Sequence, residues 1–472
     1  MSQILLQVVM DSMKVNIEIP TKHLPTGEAA VEEIDVISTL HENILGRILS
    51  FIPIIDAVHT SVLSRRWIEV WTYITSLKFD DGLLHYEKKM PKQQFVNFVE
   101  KVLFQLTNSS IQSFSLSLTS YQYDASLITS WISFILERRV QKLHIQYADK
   151  VFLSSNLLFT CDSLVELVLQ MKCTLSLPIS VHLANLQKFS ISGIKLVSDS
   201  SNYSKDITLN FPVLKVFEAR GCVWSTTQDI SLQVPLLERF SIAIRNRQSN
   251  KSCNFAIKVH SSRLTDFSYE NDLEQDIVLC DSSSIRNASI AIVVYEDKED
   301  KMEKLELQAC NLLRQIHDVE RLEFFFYKVF RQAKDIFTNL PVFGRLTYLQ
   351  LNEVKGEALL QFLNNSPILN TLVLLHGVCF LHQDVFTSAV VPRCFLSSLN
   401  VFRFEGFDAN EHDLSLVKFM LENAAMLQTM TITPSFWLRF ADIDLENVKE
   451  QILSLPTCSN FCKIDFSDIN SC

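Results

Sequence analysis

The feature that most constrains the fold of this chain is a hexapeptide with apolar residues at positions 1, 4 and 6. It recurs thirteen times between residues 111 and 432, and successive copies begin 21 to 34 residues apart. Because side chains alternate across a strand, positions 4 and 6 lie on one face and can be buried together. A further copy, Ile74/Leu77/Phe79, precedes the series. The thirteen copies begin at Ile111, Val140, Leu164, Leu186, Leu214, Leu237, Leu264, Ile285, Val319, Leu346, Leu369, Leu399 and Leu427.

One such unit cannot bury its apolar face alone, so the series predicts stacked units. The spacing is typical of leucine-rich repeats. We expect an α/β fold in which a curved solenoid carries parallel strands on its concave side and helices and loops on its convex side. Apolar stripes predict two of the helices, one through Phe95, Phe98, Val99, Val102 and Leu103 and one through Leu127, Trp131, Ile132 and Ile135. Two Ser/Asn-rich segments, 197–209 and 245–256, are predicted to be loops.

The residue between positions 4 and 6 of each hexapeptide points to the opposite face, which is predicted to be the concave one. Most of these residues are small and polar, which suits a peptide or protein surface better than a phosphate ligand. For any single one of them, simple solvation is the competing interpretation. The residues that we predict to bind a target are His144, Ser190, Glu218, Ser241, Ser268, Glu323, Gln350 and Arg403.

Composition argues against several other functions. With 43 basic and 53 acidic residues, a net charge of −10 makes nucleic acid a poor partner. No P-loop, dinucleotide fingerprint, G-x-S-x-G elbow or H-E-x-x-H helix occurs, so we predict a protein that is not an enzyme and has no catalytic residue. The concave row offers only Arg403, with His144 a weak second, so no tightly bound polyphosphate or other cofactor is expected.

The cysteines predict a reducing environment rather than a metal site. Eleven cysteines are scattered without C-x-x-C spacing, and the closest pair, Cys458 and Cys462, has no histidine nearby. His376 and His382 are six positions apart and lack helical metal-site spacing. No apolar stretch of about 18 residues occurs, which predicts no membrane association. We therefore expect a cytoplasmic or nuclear protein without a metal.

Residues 34–81 contain two apolar helical stripes and two tryptophans. Ile44, Leu45, Ile48 and Leu49 make the first stripe, Pro53 ends it, and a second stripe runs through Ala57, Val58, Val62 and Leu63 to Trp67 and Trp71. The segment resembles the plant F-box, which reads D-x-I-S-x-L-P-x-x-I-L-x-x-I-L-S-F-L-P-x-x-x-A-V-x-T-S-x-L-S-[KR]-R-W-x-x-x-W. The match covers about 45 residues. His41 replaces the usual proline, which is expected to leave the start of the first helix less rigid and to weaken partner binding.

The resemblance implies that this segment binds a Skp-type adaptor, which tethers a cullin scaffold carrying a RING protein and a ubiquitin-conjugating enzyme. The competing interpretation is that the stripe packs against its own chain, but a segment this short is near the lower limit for folding alone. The protein would then be a substrate receptor that positions a target. The residues predicted to bind the adaptor are Leu40, Ile44, Ile48, Leu49, Ile52, Pro53, Val58, Val62, Leu63 and Trp67.

The C-terminal part resembles the FBD domain that follows the repeats in many plant F-box proteins. Its hallmarks are Pro392-x-Cys394, Leu396, Leu399, Phe402, a helix over Leu416 to Leu427, and Ser454-x-Pro456. The predicted organisation is an unassigned tail at 1–33, an F-box at 34–81, leucine-rich repeats at 82–390 and an FBD domain at 391–472. The chain would be the receptor of an SCF-type cullin-RING ubiquitin ligase. The alternative is a repeat scaffold that binds the adaptor without supporting ubiquitination.

Overall fold

The computed structural model describes residues 37, 40–82, 91–107, 110–198, 206–226, 228–243, 255–271, 276–293, 302–327, 340–352, 354–379, 385–386, 389–440 and 444–467. The predicted tail at 1–33 lies outside these residues. The chain divides into two compact units, Met1–Val197 and Ser198–Cys472.

The first unit opens with short helices and continues with strands that alternate with helices. Two 3-10 turns, Thr60–Val62 and Trp71–Tyr73, connect its first elements. Its helices are α1 (Glu42–Leu49), α2 (Ile54–His59), α3 (Trp67–Val70), α4 (Lys92–Gln105), α5 (Ala125–Glu137) and α6 (Ser155–Thr160). Its strands are β1 (Ser76–Asp80), β2 (Ser113–Leu118), β3 (Lys142–Val151), β4 (Glu166–Leu177), β5 (Ser180–His182), β6 (Lys188–Ser192) and β7 (Lys195–Ser198).

The second unit is richer in strands. Its strands are β8 (Ile207–Asn210), β9 (Val216–Arg220), β10 (Val223–Ser225), β11 (Ile230–Gln233), β12 (Arg239–Ala243), β13 (Ala256–His260), β14 (Asp266–Asn271), β15 (Asp276–Leu279), β16 (Asn287–Val293), β17 (Arg321–Tyr327), β18 (Tyr348–Leu351), β19 (Val354–Lys355), β20 (Thr371–Leu374), β21 (Val378–Cys379), β22 (Val401–Phe407), β23 (Thr429–Pro434) and β24 (Lys463–Phe466). Its helices are α7 (Met302–Gln315), α8 (Gly356–Asn364), α9 (Arg393–Ser397), α10 (Glu411–Asn423) and α11 (Leu445–Leu453), with a 3-10 helix at Phe436–Phe440.

Parallel strands in regular register form the main sheet of each unit. In the first unit β1, β2, β3, β4 and β6 pair in that order. In the second unit β9, β12, β14, β16, β17, β18, β20, β22, β23 and β24 pair in that order. The predicted class, α/β with stacked parallel-strand repeats, is confirmed.

The hexapeptide residues build the core. All three apolar positions of all thirteen copies are buried, and so is the earlier copy at Ile74, Leu77 and Phe79. In the second unit the rings of Phe217, Phe240 and Phe267 stack in sequence, with centroids 5.2 and 6.0 Å apart. Each fully buried large side chain stabilises the fold by about 1.5–3 kcal/mol, so the repeated hexapeptide supplies the main driving force for stacking.

Both predicted helical stripes are confirmed. Helix α4 buries all five of its predicted apolar residues, and α5 buries Trp131, Ile132 and Ile135 while Leu127 is half-buried. Asp124 caps the start of helix α5, because its carboxylate accepts a hydrogen bond from the Ser126 N–H at 2.9 Å. The helix predicted over Leu416 to Leu427 instead spans Glu411–Asn423, because the Asn410 side chain caps it one turn earlier and the chain turns before Leu427.

The loop predictions were partly wrong, because the second unit contains a second parallel sheet. Strands β8, β11, β13 and β15 pair in order, where β8 begins within the segment 197–209 and β13 at the end of 245–256. Most of segment 245–256 lies outside the described residues. Each of these strands buries only two apolar side chains, such as Ile207 and Leu209 of β8. Two alternating apolar residues within a polar segment are too few for a strand to be recognised from the sequence.

Candidate functional site

The first helix of the F-box region begins with a side-chain cap. His41 is the N-cap residue of α1, and its Nδ1 atom accepts a hydrogen bond from the Asn43 N–H at 3.3 Å. Glu42 lies in the first turn, where a carboxylate interacts favourably with the helix dipole. A hydrogen bond from the backbone and the positive charge of the Arg66 guanidinium lower the pKa of the Glu42 carboxyl group. The residue that departs from the F-box pattern therefore caps the helix itself.

Arg66 ties the start of α1 to the start of α3. Its guanidinium donates to the backbone oxygen of Leu40 and lies 3.4 Å from a carboxylate oxygen of Glu42. The neighbouring Arg65 is exposed. Arg66 thus has a structural role, since it satisfies a carbonyl next to the helix start and pairs with a charge there.

Close packing at a glycine sets α1 against the turn Trp71–Tyr73. Gly46 is buried, and a Cβ atom built on it would lie 2.6 Å from the Cβ and the backbone oxygen of Tyr73. Leu45, Val70 and Trp71, next to these two residues in the sequence or one turn away, are buried as well. Only a residue without a side chain lets the two segments approach this closely.

Most residues predicted to bind the adaptor lie on the surface. Ile44, Ile48, Ile52, Val62 and Leu63 are between 41% and 65% exposed, Pro53 is exposed, and Leu40 and Trp67 are half-buried. Leu49 and Val58 need correction, because they are 5% and 1% exposed and belong to the interior of the small helical domain. They have no surface left for a partner in this conformation.

Sequence reasoning missed one residue of this surface, Phe51, which is 85% exposed. A periodic signal for it was present: Ile44, Ile48, Phe51 and Ile52 follow the spacing i, i+4, i+7, i+8 of one helical face. We call the set Ile44, Ile48, Phe51, Ile52, Val62 and Leu63 the apolar F-box surface.

The F-box region is continuous with the repeats. Strand β1 pairs in parallel with β2 over Ser76↔Ser113 to Asp80↔Ser117. Asp81, which follows β1, is buried and accepts hydrogen bonds from the N–H groups of Thr119 and Ser120 and from the Tyr123 hydroxyl. Burial and the Asp81 charge raise the pKa of Tyr123. These contacts join the helical segment and the first repeat in one unit.

The predicted target-binding residues occupy matching register positions. In the first unit His144 pairs with Val168, which pairs with Ser190. In the second unit the register runs through Glu218, Ser241, Ser268, Ser289, Glu323, Gln350, Val373 and Arg403. Arg403 is exposed, the other predicted residues are half-buried, and Val373 is buried. We call the aligned residues of each unit its central row.

Polar and charged side chains in and beside the central row contact one another. The Lys142 ammonium lies 2.6 Å from a carboxylate oxygen of Glu166, and this hydrogen bond is the main reason that the pKa of Glu166 is lowered. The other Glu166 oxygen is 3.4 Å from Nε2 of His144. In the second unit Arg321 pairs with Glu323 at 2.9 Å.

Polar contacts fix the strand ends in the FBD-like part of the second unit. Asp413 is buried and accepts hydrogen bonds from the Asp408 N–H at 2.8 Å and from the Asn410 side chain at 3.3 Å. Asp408 in turn accepts a hydrogen bond from the Ser435 hydroxyl at 2.5 Å. Cys394 is buried, which raises the pKa of its thiol to about 12 and makes it unreactive.

No group of three or more His, Cys, Asp or Glu side chains suited to a metal ion occurs among the residues that the structure describes. Eight cysteines in the described ranges are unpaired thiols. Within the same ranges, no helix has the length and apolar character needed to cross a membrane.

Comparison with protein families places two domains on this chain. The F-box domain model matches residues 37–78, and the FBD model matches residues 388–432. The first match runs from before α1 into β1, and the second includes α9, β22, α10 and most of β23.

Several proteins of Arabidopsis thaliana are similar along most of the chain. The F-box/FBD/LRR-repeat protein At3g14710 is 29% identical over 443 residues, covering 92% of this chain and 94% of the relative. The FBD-associated F-box protein At4g10400 is 27% identical over 92% of this chain and all of the relative. The F-box/LRR-repeat protein At3g59200 is 26% identical over 84% of this chain and 82% of its own length. The chain therefore contains an F-box domain and an FBD domain, and it is similar over most of its length to F-box/FBD/LRR-repeat proteins of Arabidopsis thaliana.

Proposed function

We propose that this protein is the substrate-recognition subunit of an SCF-type cullin-RING ubiquitin ligase. In this proposal the F-box binds a Skp-type adaptor, and through it a cullin scaffold, while the repeats and the FBD domain bind the target protein. The chain then performs no chemistry itself. It raises the effective concentration of a target near a ubiquitin thioester formed elsewhere, and acts in the cytoplasm or nucleus.

The observation that carries the proposal is the apolar F-box surface. Six large apolar side chains are exposed within twenty residues, from Ile44 to Leu63. Large apolar side chains exposed in such number within a short segment are typical of interaction sites. Leu49 and Val58 are buried, so the proposed contact set is the apolar F-box surface together with Leu40, Pro53 and Trp67.

Target binding is assigned to the central row in the same proposal. Within each unit these residues lie in register along successive parallel strands, and most are half-buried polar groups that can form hydrogen bonds with a protein surface. In the second unit the row has three small side chains in sequence, Ser241, Ser268 and Ser289. The carboxylates of Glu218 and Glu323 occupy the positions on either side of them.

A charge placed in the apolar F-box surface tests the adaptor contact. Ile48→Asp would bury a carboxylate on binding, at a cost of about 2–5 kcal/mol. Phe104→Asp is a matched control, because Phe104 is an 80% exposed apolar residue of α4 outside the F-box surface. We expect purified Ile48→Asp to lose adaptor capture while Phe104→Asp keeps it, with circular dichroism showing that both are folded. Equal capture by Ile48→Asp and the wild type would overturn the proposed contact.

Reconstitution separates the receptor from the repeat scaffold that binds adaptor alone. The scaffold alternative depends on His41 in place of the usual proline weakening the start of α1. In the structure the His41 side chain caps that helix. We therefore expect a complex of this chain, adaptor, cullin and RING protein to transfer ubiquitin to a captured target. A complex that assembles with adaptor but excludes the cullin would support the scaffold instead.

A further inference from the structure

The last strand of the second unit, β24, carries one more copy of the hexapeptide. Its apolar positions are Phe461, Ile464 and Phe466, and Ile464 pairs in register with Met430 of β23. All three apolar positions are buried in the thirteen earlier copies, whereas here Phe461 is 85% exposed and the other two are half-buried. The Lys449 ammonium lies over the Phe466 ring, 5.8 Å from its centroid. The chain itself thus leaves the apolar face of this repeat incompletely covered.

One edge of β24 has no strand beside it within the described ranges, since β23 pairs with the other edge. The N–H groups of Lys463 and Ser467 donate to backbone oxygens on the β23 side at 2.8 and 3.1 Å. Because the backbone groups of successive residues point to alternate sides of a strand, those of Ile464 and Phe466 face the free edge. Proline and bulges often block such edges. Strand β24 reads KIDF and pairs with β23 without a register shift, so it has neither device.

The two charged residues of β24 make the strand complementary to itself. Lys463 and Asp465 lie on one face, and the ammonium is 2.8 Å from a carboxylate oxygen. If two copies pair antiparallel with a two-fold axis at Ile464, each Lys463 lies opposite the Asp465 of the other copy, and opposite charges attract across strands. An axis at Lys463 would place lysine opposite lysine, and an axis at Asp465 would place aspartate opposite aspartate. An axis between two residues would mix the apolar and charged faces. Charge and alternation therefore select one register.

We propose that β24 pairs with β24 of a second copy of this chain, antiparallel and with the two-fold axis at Ile464. The backbone groups of Ile464 then form hydrogen bonds across the axis. Lys463 and Asp465 occupy the non-hydrogen-bonded positions, where side chains on opposite strands are closest. Phe466 lies opposite Cys462 of the other copy, which adds apolar cover to the last repeat. This inference goes beyond the proposed function, because the F-box belongs to the first unit and β24 to the second.

The experiment measures self-association of the full-length protein by sedimentation velocity over a range of concentrations. We expect the wild type to form a dimer reversibly. Lys463→Glu places acid opposite acid and Asp465→Lys places base opposite base, so each should weaken dimerisation about tenfold or more. Arg263→Glu is the matched control, because Arg263 is an exposed cation of the same unit outside β24, and it should dimerise like the wild type. Circular dichroism checks that all variants are folded.

A mixture of the two charge-reversed proteins tests the register itself. When a Lys463→Glu chain meets an Asp465→Lys chain, each substituted position faces an opposite charge on the other copy. We therefore expect the mixture to form a heterodimer with an affinity close to that of the wild type, although each protein alone is a monomer. Local damage to β24 would not be repaired by mixing, so this rescue distinguishes pairing from misfolding.

Four results would overturn the inference. They are a wild type that stays monomeric up to about 100 μM, wild-type dimerisation in both charge-reversed variants, and a mixture that remains monomeric. The fourth is a monomeric wild type that captures a target which Lys463→Glu does not, since the edge would then bind a target strand. Adaptor capture keeps this test separate from the proposed function. Ile48→Asp should lose adaptor and keep the dimer, and Lys463→Glu should do the reverse. A dimer without adaptor capture would reject the receptor role alone.

Discussion

Gly46 lies directly against Tyr73, so that a Cβ atom at position 46 would be 2.6 Å from the Tyr73 backbone oxygen. Gly46→Ala should therefore force α1 away from the turn that carries Trp71. Overpacking of this kind costs about 1–3 kcal/mol. The expected result is a lower unfolding midpoint in denaturant, together with weaker adaptor capture. Gly344→Ala is the control, since nothing lies within 4 Å of its added Cβ, and it should leave both measurements unchanged.

Replacement of the adjacent residues Arg65 and Arg66 should change the stability of the protein by very different amounts. Arg66→Ala removes the hydrogen bond to the Leu40 oxygen and the pairing with Glu42, and we expect a loss of about 1–3 kcal/mol of stability, as for a part-buried carbonyl left without its charged donor. Arg65→Ala removes an exposed side chain and should change stability by less than about 0.5 kcal/mol. Chemical unfolding of the two variants compares them directly, and similar losses in both would refute the assignment.

The cap at His41 changes the expectation for the F-box pattern. His41→Ala should destabilise the domain by about 0.5–1 kcal/mol, because the Asn43 N–H loses its acceptor. His41→Pro also loses that acceptor but restricts the unfolded chain, which offsets part of the loss. Adaptor affinity should thus rank wild type first, then proline, then alanine, as measured by calorimetry. Tighter binding by His41→Pro than by the wild type would show that rigidity outweighs the cap.

The second sheet contains a pair that should make stability sensitive to acid. The Asp229 carboxylate lies 2.7 Å from the Lys258 ammonium and accepts the Ala256 N–H at 2.9 Å. The hydrogen bond from Lys258 is the main reason that the pKa of Asp229 is lowered. A lowered pKa stabilises the folded state at pH values above about 4, and this contribution disappears as pH falls through the folded value.

Asp229→Asn keeps an acceptor for Ala256 and removes the charge. Its unfolding midpoint should lie below that of the wild type at neutral pH, and the difference should shrink as the pH is lowered towards 2, where the wild-type carboxylate is protonated. Thermal unfolding across that range provides the measurement. A difference that stays constant with pH would mean that the charge contributes nothing.

The core was predictable from the sequence and parts of the surface were not. The hexapeptide placed Phe240 or Leu349 correctly, because a strand that buries one face imposes a strict alternation of residues. A helical stripe is less informative. It marks an apolar face without showing whether the same chain or a partner covers it, so the stripe predicts adaptor binding for the buried Leu49 and Val58 as well as for the exposed Ile48. The contact of Gly46 with Tyr73 joins residues 27 positions apart and leaves no periodic trace.

The pairing of β1 with β2 has a consequence for how the protein can be divided. The F-box match ends at residue 78, inside β1, so a chain trimmed at that boundary loses the strand that covers one side of β2. The hydrogen-bonding groups of Ser113 to Ser117 and the apolar side chains of Phe114 and Leu116 would then face water. An open edge of this kind recruits other strands. A protein lacking its F-box is therefore expected to aggregate. A deletion would change adaptor binding and solubility together, whereas a point substitution such as Ile48→Asp changes adaptor binding alone.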